Sequence, residues 1–182
     1  MSTRAALPAL RLRRATPADA EALALVGAAT FLEAFAGMLE PEDILAHCAN
    51  EHSAARYAKW LASPVARLWL AETVENPIAV GYLVGDRSQL PLPDLTDDDY
   101  EVKRVYVLSR FQRAGLGRAL MARSLEDARA LGARRLLLGV YSENAEAIAF
   151  YRHIGFEVVG TRRFRVGSRE RDDLILETVV RG

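Results

Sequence analysis

One stretch constrains this chain more than any other: Val105-Tyr106-Val107-Leu108-Ser109-Arg110-Phe111-Gln112-Arg113-Ala114-Gly115-Leu116-Gly117-Arg118. It reads as a strand that ends, a turn with two glycines, and a helix that begins. Gly115 and Gly117 let the backbone turn tightly and come close to a ligand. The free N–H groups at a helix start converge on one spot and carry about half a positive charge. Such a turn suits a phosphate or diphosphate, and Arg113 and Arg118 add cationic side chains beside it. Two glycines at this spacing are weak alone. The dinucleotide fingerprint needs a third glycine where Leu120 stands, and no Gly-Lys-Ser/Thr of a Walker loop follows.

A strand feeding a helix through such a turn implies an α/β fold, and the flanking patterns agree. Residues 9–15 alternate as a first strand. Thr16-Pro17 caps a helix running to about Phe35. A second helical region spans roughly 41–62, broken near Asn50, with Ser53 as a cap. Residues 67–73 and 78–85 form a strand pair around Glu75-Asn76-Pro77, and 100–108 the next strand. A helix over about 115–131 stops at Gly132, followed by a largely buried strand over 134–141. A short helix from Asn144 to His153 stops at Gly155. Strands 156–164 and 170–180 join through Gly167-Ser168. The expected architecture is one domain over 1–182: a mixed, mostly antiparallel twisted sheet of about seven strands with helices on both faces.

Composition narrows the function. Twenty-four basic residues balance twenty-four acidic ones, which argues against general nucleic-acid or anionic-membrane binding. No apolar run approaches a membrane span, and the N-terminus lacks a signal peptide's apolar stretch, so a cytoplasmic protein is expected. A single cysteine, Cys48, excludes an internal disulfide framework and a cysteine zinc cluster. His47, His52 and His153 make no metal pattern, and no metal is expected.

A second constellation lies at Leu138-Gly139-Val140-Tyr141-Ser142-Glu143-Asn144 and on to Gly155-Phe156. Asn144 sits where a strand gives way to a helix, the place of an N-cap. Tyr151 follows two turns later, near the face of Asn144 and Ala147.

Together the two segments resemble the GNAT superfamily of N-acetyltransferases. That family's diphosphate loop reads Arg/Gln-x-x-Gly-x-Gly/Ala, which Gln112-x-x-Gly115-x-Gly117 fits. Its later helix often carries Asn-x-x-Ala-x-x-x-Tyr before Gly-Phe, matched by Asn144, Ala147, Tyr151, Gly155 and Phe156. Thr30-Phe31-x-Glu33-Ala34-Phe35, Glu101-Val102-x-Arg104-Val105-Tyr106-Val107, Leu138-Gly139-Val140-Tyr141 and Asp173-Leu174-Ile175-Leu176 are similar to bacterial polyamine N-acetyltransferases of the spermidine/spermine type.

The resemblance implies acetyl transfer from acetyl-CoA to a primary amine, a small polyamine-like one on the finer likeness. The backbone of Val105, Tyr106 and Val107 would pair with the pantetheine arm. The loop Gln112, Arg113, Ala114, Gly115, Leu116, Gly117 and Arg118 would hold the diphosphate, and Asn144 would bond near the sulfur, with Ala147 and Tyr151 beside it. Phe31, Phe35, Tyr57 and Trp60, in the first helices, would wall the acceptor pocket. The Asp94–Glu101 acids would draw a cationic amine. Homodimers are implied by the resemblance alone. A protein or peptide N-terminal acetyltransferase and a noncatalytic acyl-CoA-binding regulator are the alternatives.

The chemistry asks for two proton-handling groups. An alkyl ammonium, with a pKa near 10.4, must lose a proton before it attacks a thioester; Glu101 is the candidate base. A leaving thiolate, with a pKa of about 8.5, is best reprotonated by an acid still protonated at neutral pH; Tyr151, a phenol, fits. Simple alternation puts Glu101, Lys103 and Val105 on one face of their strand and Val102, Arg104 and Tyr106 on the other.

Overall fold

The computed structural model describes residues 7–166 and 169–180. The expected Gly167-Ser168 turn lies outside them. Seven strands form one sheet: β1 (Leu10–Arg14), β2 (Arg67–Thr73), β3 (Ala79–Arg87), β4 (Asp99–Val107), β5 (Arg135–Tyr141), β6 (Glu157–Val166) and β7 (Arg169–Val179). Their order is β1-β2-β3-β4-β5-β7-β6. Only β4 and β5 run parallel; every other neighbouring pair is antiparallel.

The helices are α1 (Ala20–Phe35), α2 (Pro41–Glu51), α3 (Ala54–Leu61), α4 (Leu116–Ala130) and α5 (Ala145–His153). Thr16 caps a short 3-10 turn over Pro17–Asp19 rather than α1 itself. The Asp19 carboxylate accepts from both the amide and the hydroxyl of Thr16 and binds Arg13 of β1. The break between α2 and α3 is set by Ser53, whose hydroxyl accepts from the Arg56 amide.

Two apolar layers sandwich the sheet. On one face Leu120, Met121 and Ala128 of α4 pack on Leu83, Tyr100, Val102, Leu136 and Leu138. On the other, Leu23 and Val26 of α1 and Tyr57 of α3 pack on Leu68, Leu70, Tyr82 and Val84. That helical layer does not extend over β5 and β7. There the β3–β4 loop supplies Leu90, Leu92 and Leu95 as cover for Leu137 and Ile175.

The same loop accounts for the acid run. Asp99 is buried and accepts from Arg134 Nε (2.7 Å) and Arg135 Nε (3.0 Å). Asp94 reaches Arg135 at 3.1 Å. The two guanidiniums hold the Asp99 carboxyl well below its usual range against the cost of burial. Asp94 and Asp99 tie the loop to Arg134 and Arg135, while Asp97 and Asp98 stay exposed.

Candidate active site

The site begins where two strands part. The parallel pairing of β4 with β5 runs only from Asp99/Arg135 to Val102/Leu138. Beyond it, Val105, Tyr106 and Val107 stay paired with Leu83, Tyr82 and Gly81 of β3. Gly139, Val140 and Tyr141 stay with Ile175, Leu174 and Asp173 of β7. A wedge opens between them, with the β4 backbone along one side. Its cause is one extra residue: Arg104 faces Val84 and Val102 faces Gly85, so Lys103 is inserted as a β-bulge. A bulge bends its strand and adds twist.

The bulge also corrects the expected alternation. Val102 packs with the α4 layer, and beyond the bulge Val105 and Val107 take that side. Tyr106 packs with Tyr57 and Tyr82 on the other, and Arg104 reaches Tyr57 there as well. Val102 and Tyr106, expected on one face, lie on opposite faces.

At the outer end of β4 the chain enters the glycine loop. Gln112 Nε2 donates to Val107 O at 3.1 Å, folding the loop back on the strand. Arg113 (φ 68°) and Gly115 (φ 77°) both take left-handed conformations. Glycine does so without penalty, whereas Arg113 is held there by its surroundings. The first intrahelical bond of α4 runs from the Ala119 amide to Gly115 O. The amides of Leu116, Gly117 and Arg118 therefore point out of the helix start without helical partners. A Cβ on Gly117 would meet only the Phe150 ring, at 3.8 Å. Internal packing does not demand that glycine. The Arg113 and Arg118 side chains and Ala114 are exposed. Leu116 instead buries its side chain with Ala71, Val80 and Phe111, so only its backbone faces the loop.

Helix α5 packs Ile148, Phe150, Tyr151 and Ile154 against the same apolar layer as α4. Asn144 Oδ1 caps it by accepting from the Ala147 amide at 3.0 Å. Tyr151 is half-buried, edge-on to Phe150 (5.3 Å) and Phe156 (6.0 Å). Burial, and secondarily the nearby Tyr106, pushes its phenol well above the usual range.

Glu101, expected on the cofactor strand, lies just inside the closed end of the wedge. It is 4% exposed. Its Oε2 accepts from Lys103 Nζ (2.7 Å), the Gln89 amide (3.0 Å) and Ser88 Oγ (3.2 Å).

The four expected acceptor residues separate. Tyr57 is fully buried, and Phe31, stacked on His47 at 4.0 Å, is nearly so. Both are core: Tyr57 packs on the sheet with Leu70 and Tyr82, and Phe31 packs with Leu39 and with Ile44 of α2. Phe35 and Trp60 stay half-buried. The residue that sequence reading left without a role is Arg104. It donates to Glu51 O (2.6 Å), Glu51 Oε2 (2.9 Å) and Tyr57 Oη (3.2 Å), and lies 5.0 Å from the Trp60 ring. Its Nη1 is also 3.3 Å from His52 Nδ1. Tyr57 Oη lies 2.9 Å from the same Nδ1. Burial, together with Arg104, holds the His52 pKa down at about 3. The signal was a pair of basic residues, Lys103 and Arg104, inside an otherwise apolar run from Val102 to Leu108.

Residues 33–156 match the Acetyltransferase (GNAT) family. An uncharacterised N-acetyltransferase of Mycobacterium tuberculosis (strain ATCC 25618 / H37Rv) is 34% identical over 158 residues, 87% of this chain and 96% of that protein. The [ribosomal protein bS18]-alanine N-acetyltransferase of Escherichia coli K12 is 32% identical over 93 residues, 50% of this chain and 63% of that one. Among solved structures, the PaiA N-acetyltransferase of Thermoplasma acidophilum in complex with coenzyme A is similar, with a TM-score of 0.76 at 18% identity. The alignment covers 94% of this chain and 99% of that one.

Proposed function

The chain belongs to the acetyltransferase (GNAT) family, as an N-acetyltransferase that draws on acetyl-CoA, and on that premise we propose that it acetylates a small primary amine inside the β4–β5 wedge. The observation that carries this reading is the wedge itself. An unpaired strand edge, a helix start with outward amides and a protonated phenol lie along one path.

The residues fit the donor group. The backbone of Val105, Tyr106 and Val107 offers a strand edge to the pantetheine arm. The amides of Leu116, Gly117 and Arg118, with Arg113 and Arg118, offer the diphosphate a positive cradle. The Asn144 carboxamide, its oxygen used in the cap, presents its NH2 to a carbonyl of the arm. Bound there, acetyl-CoA supplies an activated acetyl carbonyl. Amides of the 105–107 edge would stabilise negative charge developing on its oxygen, an effect of roughly 3 kcal/mol per donor in well-formed sites.

Glu101 takes the ammonium proton through water. Its Oε2 is held by three donors, and Oε1 would accept the proton. Tyr151 gives its proton to the departing sulfur. Its raised pKa keeps it protonated at neutral pH, where a thiolate wants a proton.

For the acceptor, the finer likeness to polyamine enzymes finds little support in charge. Asp94, Asp99 and Glu101 already bind Arg134, Arg135 and Lys103. The reading therefore stays at a primary amine, with polyamines as one case. The experiment is thiol release from acetyl-CoA with polyamines, amino acids, aminoglycosides and peptides as acceptors. Release with one small amine supports the reading. Release only with peptides points to a protein-modifying enzyme, and coenzyme A binding without release across the panel points to a regulator.

A further inference from the structure

We infer that Glu33, on the last turn of α1, is a positioning residue for the diphosphate loop; this rests on the reading of residues 112–118 as that loop. Glu33 Oε2 accepts from the Ser109 amide at 2.8 Å, and its Oε1 accepts from Ser109 Oγ at 2.6 Å. The two residues are 76 positions apart. One carboxylate thus spans both donors of a single residue, and bonds to a charged acceptor are the strong kind.

Ser109 is the first residue of a 3-10 turn, Ser109–Phe111, between β4 and the loop. Orphan amides at such a start need a partner, and here a helix from the opposite face of the sheet supplies it. From Ser109 the order propagates by short steps. The Gln112 amide donates to Ser109 O at 3.2 Å, and Gln112 Nε2 returns to Val107 O. Phe111 and Leu116 bury themselves against Ala71 and Val80. Between these anchors Arg113 is pressed into its left-handed conformation, and the outward amides follow. Glu33 touches no part of that cradle itself. It fixes where the cradle starts, and it joins the helix that carries Phe31 and Phe35 to the cofactor strand.

The test is calorimetric titration of coenzyme A and of adenosine 3′-phosphate 5′-diphosphate, its diphosphate-bearing end, into wild type, Glu33→Ala, Ser109→Ala and the double variant. Glu33→Ala should weaken both ligands by the same factor, about five- to tenfold, with melting within about 2 °C of wild type. Ser109→Ala, which keeps its amide bond, should weaken both about two- to threefold. The double variant should match Glu33→Ala alone, because one linkage is being cut twice. Unchanged affinity in Glu33→Ala overturns the inference. So does a loss for coenzyme A without one for the fragment, and so do additive losses. Should Glu33→Ala not fold, Ser109→Ala alone decides by the same two ligands. A wild type that binds neither ligand overturns the cofactor reading along with this one; a wild type that binds both beside an unaffected Glu33→Ala overturns this one only.

Discussion

Gly27 sits in the interior of α1, where helix propensity alone favours alanine by about 1 kcal/mol. The packing reverses that preference. A Cβ at Gly27 would press inside van der Waals contact on Tyr57 Oη and His52 Nδ1, with the Tyr57 ring carbon at 3.2 Å. Neither group can yield cheaply. Tyr57 is 0% and His52 4% exposed, the two are bonded to each other, and both contact the half-buried Arg104. Overpacking of this kind costs about 1–3 kcal/mol. Displacing the Tyr57–His52 bond adds about 1 kcal/mol more. Set against the propensity gain, Gly27→Ala should destabilise the fold by about 1–3 kcal/mol, or roughly 2–12 °C in melting temperature for a chain of this length. Calorimetric melting with a urea titration reads both quantities. An unchanged or higher melting temperature would refute the reasoning, because propensity would then have outweighed the contact.

Two further outcomes follow from the same groups. Tyr151→Phe removes the proton donor and keeps the ring against Phe150 and Phe156. It should lower kcat at least about tenfold while calorimetry finds coenzyme A affinity little changed; near-wild-type turnover with chemistry rate-limiting would remove Tyr151 from the reaction. His52, held at about 3 in the fold against 6.5 for an ordinary imidazole, binds a proton more readily when unfolded. Its contribution is therefore complete above pH 6.5 and is lost as pH falls towards 3, roughly 2–3 kcal/mol by pH 4.5. His52→Gln should flatten the fall of melting temperature between pH 7 and 4.5; a wild-type slope in that variant would contradict the assignment.

The sequence carried the element order well because its punctuation is local. Thr16-Pro17, Ser53, Gly132, Asn144 and Gly155 each act within a turn or two of themselves. The loop and the α5 cap were legible for the same reason. What could not be read arises from contacts distant in sequence. The inserted Lys103 is visible only once β4 lies against β3, and it sends Val102 and Tyr106 to opposite faces. Tyr57 and Phe31 looked like candidates for an acceptor wall, yet the sheet buries Tyr57 and the α1–α2 contact buries Phe31. The acids from Asp94 to Glu101 read as a draw for a cationic amine, but the partners of Asp94, Asp99 and Glu101, namely Arg134, Arg135 and Lys103, come from residues that only the fold brings beside them. Glu33 and Ser109 were separate residues with no visible link.

Binding of acetyl-CoA rests on the outward amides at the start of α4 and on the strand edge that leads to them. Titrating coenzyme A into the folded protein measures this directly. Saturable heat at one ligand per chain, reduced in parallel by competition with its diphosphate-bearing fragment, is the expected result. A folded protein that gives no saturable heat with coenzyme A or acetyl-CoA would contradict it.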